Sequence, residues 1–485
     1  MNFNSLSYIG FLLVNVLVYY LLPYRARAYQ LLIASYFFYM CWNPTYALLM
    51  LLSTAVTYGC GLLVGARVWN RRKLWLALSF VLNLAILFFF KYFNFLSDLI
   101  GQGLTLLGLS WSPPLLDVLL PVGISFYTFQ ALGYTVDVYR GDVQPERHFV
   151  HYALFVSFFP QLVAGPIERS GNMLRQIKEE HRFRPENLRD GALPVLWGLF
   201  KKVVLADNLA VLVNAVYNTP AARSGGEFVL ATVAFAIQIY CDFSAYSDIA
   251  RGSAKMLGFD LMENFRCPYF ATSIQDFWRR WHISLSTWFR DYLYFPLGGS
   301  RKGKARRLLN LMIVVLVSGL WHGAALTFVV WGLLNGLYQV ISILLRPVKE
   351  KILSLLHIGE KNPALHVFRI LFTFFLTCLA WVLFRANSLT DAAAIFQSLL
   401  ALPQTGFTVD LMLLNITVPT LWMLGICTVV LLTADYFITE WGLMAKINRF
   451  VSVRYAVYFL ILAAILIFGS WGEGFAPQDF VYFQF

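Results

Sequence analysis

The chain has 485 residues, 59% of them hydrophobic and only 13% charged, with 43 Phe, 25 Tyr and 14 Trp. Soluble globular domains carry about 25% charged residues, so this composition and a mean hydropathy of +0.63 exclude a water-facing surface over most of the molecule. The net charge of +12 lies in short loops between apolar runs, as cytoplasmic loops of membrane proteins do, and leaves no basic, aromatic-studded domain for nucleic acid.

In chain order, apolar stretches near the roughly 20 residues that cross a bilayer recur at 5–22, 28–42, 46–66, 74–97, 114–136, 149–164, 191–217, 227–241, 308–322, 324–345, 367–384, 417–438 and 455–470. They predict an all-α, polytopic transmembrane helical bundle. Several runs are short or interrupted, so about 11 full spans are expected, with re-entrant or interfacial helices besides. The first run has no small-residue cleavage site after it and reads as a retained span. Residues 1–485 are read as a single membrane domain with an aromatic C-terminal tail, 472–485. Arg25 and Arg27, then Arg67, Arg71, Arg72 and Lys73, mark two early cytoplasmic loops, which puts the N-terminus outside. Lys446, Arg449 and Arg454 precede the last run and put the C-terminus outside as well. The six cysteines are scattered and form no CxxC, so neither a disulfide framework nor a metal site is expected.

Residues 275–292 read as one amphipathic helix lying at the membrane surface. Trp281, Leu285, Trp288 and Tyr292 fall on one face, and Arg279, His282, Ser286 and Arg290 on the other. Among seven histidines, His322 stands apart because it lies in Ser318-Gly-Leu-Trp-His-Gly323, inside an apolar helix. An ionisable group at membrane depth is a functional-site hypothesis by default. A low-dielectric setting favours the neutral imidazole, which can take a proton from an attacking hydroxyl. Gly319 and Gly323 beside it permit close approach of another backbone or a ligand. His282 is the second candidate, and Arg279, Arg280 and Arg290 suit phosphate groups of a nucleotide-bearing donor as well as they suit membrane anchoring. Asp242 ends an apolar run and is a candidate to orient a histidine. The tail, Phe480-Val-Tyr-Phe-Gln-Phe485, serves equally as an interfacial aromatic belt or, through the Tyr482 phenol, as an acyl carrier.

Taken together, Gln161-Leu-Val-Ala-Gly-Pro-Ile167, Tyr240-Cys-Asp-Phe-Ser-Ala-Tyr-Ser-Asp248, Asn264-Phe-Arg-Cys-Pro-Tyr269, Phe277 through Gly299, Ser318 through Gly323 and Trp331-Gly-Leu-Leu-Asn-Gly336 resemble the membrane-bound O-acyltransferase superfamily. Within it, the likeness is to the bacterial alginate O-acetyltransferase-like branch and covers nearly the whole chain. The resemblance implies a helical bundle around a funnel or tunnel meeting at a catalytic His322, with His282 as the second important histidine. It further implies no metal or tightly held cofactor, and Arg279, Arg280, Arg290, Trp281, Asp242, Trp321 and Asn335 are taken as the donor- or substrate-binding residues. The motif Phe480-x-Tyr482-x-x-Phe485 is similar to an aromatic motif proposed as an acyl relay.

The expected activity is O-acetyl transfer from cytoplasmic acetyl-CoA across a bacterial cytoplasmic membrane, toward a cell-envelope or exported polysaccharide. An extracytoplasmic, SGNH-like acyltransferase with a serine nucleophile would be the partner. The alternatives are acylation of a lipid or secreted protein, D-alanyl transfer to teichoic acid, and a glycan or lipid transporter or flippase. Transport is disfavoured because the two halves show no convincing inverted repeat and few intramembrane charges.

Overall fold

The computed structural model describes residues 1–66, 71–109, 114–116, 120–414, 416–470, 480 and 481, whose regular elements are all helices, with no strand among them. Among the described residues, eight helices are long and apolar enough to cross a membrane: Pro44–Gly65, Arg72–Leu106, Gly225–Met256, Lys304–His322, Leu326–Leu344, Pro363–Arg385, Val418–Trp441 and Val451–Phe468. A shorter apolar helix covers Leu6–Leu21. The chain is a multi-pass membrane protein.

Three of the expected spans take other forms, each for a local reason. In 114–136 the helix begins only at Ile124, after Pro121 and a left-handed Gly123 with φ 74°. In 149–164 the helix stops at Ser157, because Pro160 follows and denies the chain both an N–H donor and helical room. In 191–217 the helix Pro185–Leu199 passes into a π-helical segment, Phe200–Ala206, before resuming as Asp207–Tyr217. Such a widened turn re-aims side chains and is frequent at functional sites; here it turns Lys201 and Lys202 inward.

Two compact units emerge from the packing. The first comprises Met1–Val195 and Tyr246–Met262. Lipid offers helices no hydrophobic drive to associate, so buried polar pairs and close packing hold them. Here Tyr152 donates to Thr57 at 2.7 Å, Tyr8 to Ser253 at 2.9 Å, and Ser79 and Thr135 share a bond of 3.1 Å.

The second unit comprises Leu196–Ala245 and Glu263–Phe485 and holds every described candidate site residue. Its helices Lys304–His322 and Leu326–Leu344 touch backbone to backbone. A Cβ on Gly319 would meet the Phe328 carbonyl oxygen at 2.4 Å, and one on Gly332 would meet that of Val315 at 2.6 Å. Small residues are what permit this approach, as the glycines around His322 led one to expect. The unit's core is strongly aromatic, with Trp281, Trp331, Trp381, Phe277, Phe328 and Phe384 packed together.

Candidate active site

His322 is the last residue of its helix and is buried, at 3% exposure. Its ring is walled edge-on by Trp321 and Trp331, each with centroids 5.0 Å away, and by Phe384 at 5.5 Å. Behind them Trp331 stacks on Trp381 at 6.2 Å, and Trp381 meets Trp281 at 5.2 Å. This box excludes water around the imidazole, which strengthens any electrostatic contact made inside it.

The expected helix over 275–292 is broken in two. Ile274–Arg280 and Ile283–Phe289 are separate short helices, and His282 between them is left-handed, with φ 45° and ψ 55°. That conformation is uncommon for a residue with a Cβ, and a distant segment enforces it. The Ile283 N–H donates to the Asn264 carbonyl at 2.9 Å, and the Arg266 N–H to the Arg280 carbonyl at 2.9 Å. The break takes His282 out of the cationic face where helical periodicity put it. His282 is 1% exposed, whereas Arg279 and Arg290 are exposed. Trp281, Leu285 and Trp288 are buried in protein rather than laid against lipid.

Asn264 also fixes the His282 tautomer. Its Oδ1 accepts from the Ser284 N–H at 3.1 Å and the Ser284 hydroxyl at 2.9 Å, and lies 3.3 Å from His282 Nδ1. An oxygen can only accept, so Nδ1 carries the proton in this contact and Nε2 keeps its lone pair. Trp321 stands between the two histidines, 6.1 Å from the His282 ring and 5.0 Å from that of His322.

His282 lies outside the eight apolar spans, and burial pushes its imidazole down to about 3. An unfolded histidine titrates near 6.5, so below that pH the unfolded chain takes up a proton that the folded chain refuses. Folded stability is therefore complete above about pH 6.5 and declines as the pH falls toward 3. His282→Gln is expected to flatten the decline in melting temperature between pH 7 and pH 5. An unchanged slope in detergent-purified protein would contradict this.

A cleft of about 350 Å³ opens beside this centre, lined in part by Arg279, Arg290, Arg307, Trp278, Trp331 and Asn335. Leu311, Val314, Val315 and Ser318 line it too. Val314 and Ser318 share a helix face with His322, but neither His322 nor His282 is on the wall; Trp331 is the residue common to the cleft and the box around His322. Asn335 Oδ1 accepts from the Trp278 indole N–H at 3.3 Å, and its amide donates to the Trp331 carbonyl at 2.9 Å. Three arginines line the wall, Arg290 being paired with Asp291 at 2.8 Å, and this cationic wall suits an anionic ligand.

Of the residues expected to bind the donor, the cleft gathers Arg279, Arg290 and Asn335. Arg280 lies off its wall, paired with Asp276 at 3.1 Å. Trp281 and Trp321 are buried in the aromatic core behind it. Asp242 departs most from expectation. Rather than orienting a histidine or lining the cleft, it pairs with Lys202 Nζ at 2.8 Å and accepts from the Val481 N–H at 2.7 Å. Tyr482 lies outside the described residues.

Sequence reasoning missed Lys202, Asn264, Arg307, Trp331 and Phe384. Lys202 carried the same signal that marked His322, a charge within an apolar run. Asn264 and Trp331 lay inside the family-like motifs but received no role, because their contacts are with residues distant in sequence; Arg307 was one basic residue among several in its run.

A family model described as MBOAT, membrane-bound O-acyltransferase family, matches residues 144–386. "Probable alginate O-acetylase AlgI" of Pseudomonas syringae pv. tomato is 40% identical over 395 residues, covering 80% of this chain and 73% of that protein. "Peptidoglycan O-acetyltransferase" of Helicobacter pylori is 35% identical over 435 residues, 82% of this chain and 80% of that one. "Teichoic acid D-alanyltransferase" of Streptococcus thermophilus is 26% identical over 242 residues, 46% of this chain and 56% of that one.

Proposed function

Because the chain belongs to the membrane-bound O-acyltransferase family and is an acyltransferase, we propose that it moves acetyl groups from cytoplasmic acetyl-CoA toward a cell-envelope or exported polysaccharide. The observation that carries this reading is the arginine-lined cleft whose wall includes Trp331, one of the aromatic residues enclosing His322. Arg279, Arg290 and Arg307 would hold the phosphates of coenzyme A at the mouth. The thioester would lie past Ser318 and Trp331, where the wall turns apolar. Arg301, Lys302, Lys304, Arg306 and Arg307 cluster near the mouth in sequence, which favours a cytoplasmic opening in a bacterial cytoplasmic membrane, with both termini on the far side.

In this reading His322 accepts the proton of the attacking hydroxyl as its oxygen bonds to the thioester carbonyl carbon. The carbon–sulfur bond then breaks, and the imidazolium returns the proton to the departing thiolate, leaving free coenzyme A thiol. The close aromatic walls of the His322 box favour a two-carbon acyl group over a long one. Tyr482, next in the chain after the anchored Val481, is the proposed acceptor. It would pass the acetyl group to an extracytoplasmic SGNH-like partner that modifies the polysaccharide. The alginate and peptidoglycan names borne by the relatives support a polysaccharide acceptor.

A truncated donor isolates the phosphate contacts. Arg279→Ala combined with Arg307→Ala is expected to raise KM for acetyl-CoA by about 10- to 100-fold, the effect of losing charged hydrogen bonds. KM for acetyl-pantetheine, which lacks the nucleotide phosphates, should be unchanged. Equal effects on both donors would remove the cleft from the donor-binding role.

A further inference from the structure

Lys202 is enclosed between two carboxylates, 2.8 Å from Asp207 and 2.8 Å from Asp242, and all three side chains are at most 4% exposed. Burying an ion pair is tolerable only when the remaining carboxylate lone pairs also find donors. For Asp242 a donor comes from the far end of the chain: the Val481 N–H reaches Oδ2 at 2.7 Å. The neighbouring ring of Phe480 packs on Phe243 at 4.9 Å, and Phe243 in turn lies 5.2 Å from the His282 ring. Phe480 and Val481 are 1% and 2% exposed. A backbone hydrogen bond to a buried charge and a buried aromatic contact thus converge on two consecutive tail residues.

We propose that Asp242, held in place by Lys202, is a positioning residue that seats the C-terminal tail beside His282. The Lys202 ammonium fixes one carboxylate oxygen and leaves the other aimed at the tail amide. A main-chain contact fixes where the strand of tail runs without depending on the Val481 side chain, and Phe480 sets its register against Phe243. The catalytic purpose of that seat rests on the reading of the tail as acyl carrier.

Hydrogen–deuterium exchange with residue-resolved fragmentation, on the full chain in lipid nanodiscs, reads the contact directly. In wild type the Val481 amide is expected to exchange at least roughly 10-fold more slowly than an open chain, in keeping with a hydrogen bond to a charged group. Asp242→Ala should abolish that protection while the amides of the apolar spans keep theirs. Asp242→Asn retains an acceptor oxygen and should restore most of it. Open-chain exchange at Val481 in wild type would overturn the proposal, and that result needs no variant to fold. So would equal protection in wild type and a folded Asp242→Ala.

Labelling the same samples with acetyl-CoA separates the two ideas. Protection at Val481 without acetyl on the tail peptide upholds the seat and defeats the relay. Acetyl on the tail of a wild type lacking protection defeats the seat and upholds the relay. Where both hold, Asp242→Ala should slow tail labelling about 10-fold or more, and Asp242→Asn should recover it.

Discussion

Replacing His322 with alanine is expected to lower acetyl transfer by about 100- to 10,000-fold, the range for loss of a general base. Donor binding should survive, because the cleft's arginines and Trp278 are untouched. The change should therefore fall on kcat, with little movement of KM. The fold should tolerate it, since the imidazole is enclosed by Trp321, Trp331 and Phe384 and the aromatic stack behind them holds itself together. His322→Gln, closer in volume, would separate lost chemistry from an emptied space. If both variants turned over within a fewfold of wild type, His322 would be a packing residue and the proton would have to go elsewhere.

Asp435→Ala is expected to be the most damaging single change to stability. The carboxylate accepts from the Trp197 indole at 2.9 Å and from the Tyr240 hydroxyl at 2.6 Å, and pairs with Lys201 at 3.1 Å. Lys201 is 4% exposed on its side chain and lies over the Trp197 and Tyr240 rings, so the change takes the carboxylate away from a buried ammonium. That typically destabilises by about 3–5 kcal/mol, roughly 3–5 °C in melting temperature for a chain of this length. Pairing Lys201→Met with Asp435→Leu removes both buried charges and should recover part of the loss, the remainder reflecting the acceptor that Trp197 and Tyr240 still lose. An Asp435→Ala protein that melts with wild type would show that the junction contributes nothing net.

Much of this architecture was legible because lipid leaves few options. Spanning backbone must be helical, so apolar run length located the helices at 46–66, 308–322, 324–345, 367–384 and 455–470. Proline was the corrective the run lengths needed. Pro121 and Pro160 mark the points where 114–136 and 149–164 depart from plain spans, and hydropathy alone reads across them. The π-helical widening at Phe200–Ala206 has no such marker, although the paired lysines within it are a charge signal in an apolar run.

The site was half visible. His322 could be read because an imidazole between apolar neighbours has few ordinary explanations. His282 was found for the wrong geometry. Periodicity over 275–292 describes a regular helix, and a left-handed residue clamped by Asn264 leaves no trace in it. Asp242 carried a visible charge, but its partners are Lys202, 40 positions earlier, and Val481 near the chain's end. Pairings at that separation are decided by the bundle rather than by any local pattern.

The most direct measurement mixes purified wild type and His322→Ala, each in nanodiscs, with acetyl-CoA labelled on the acetyl group, and follows free coenzyme A thiol and protein-bound label together. Wild type is expected to release thiol in a burst matched by acetyl appearing on the chain, while a folded His322→Ala gives neither. Equal bursts from the two proteins, or none from folded wild type, would contradict acyl transfer centred on His322.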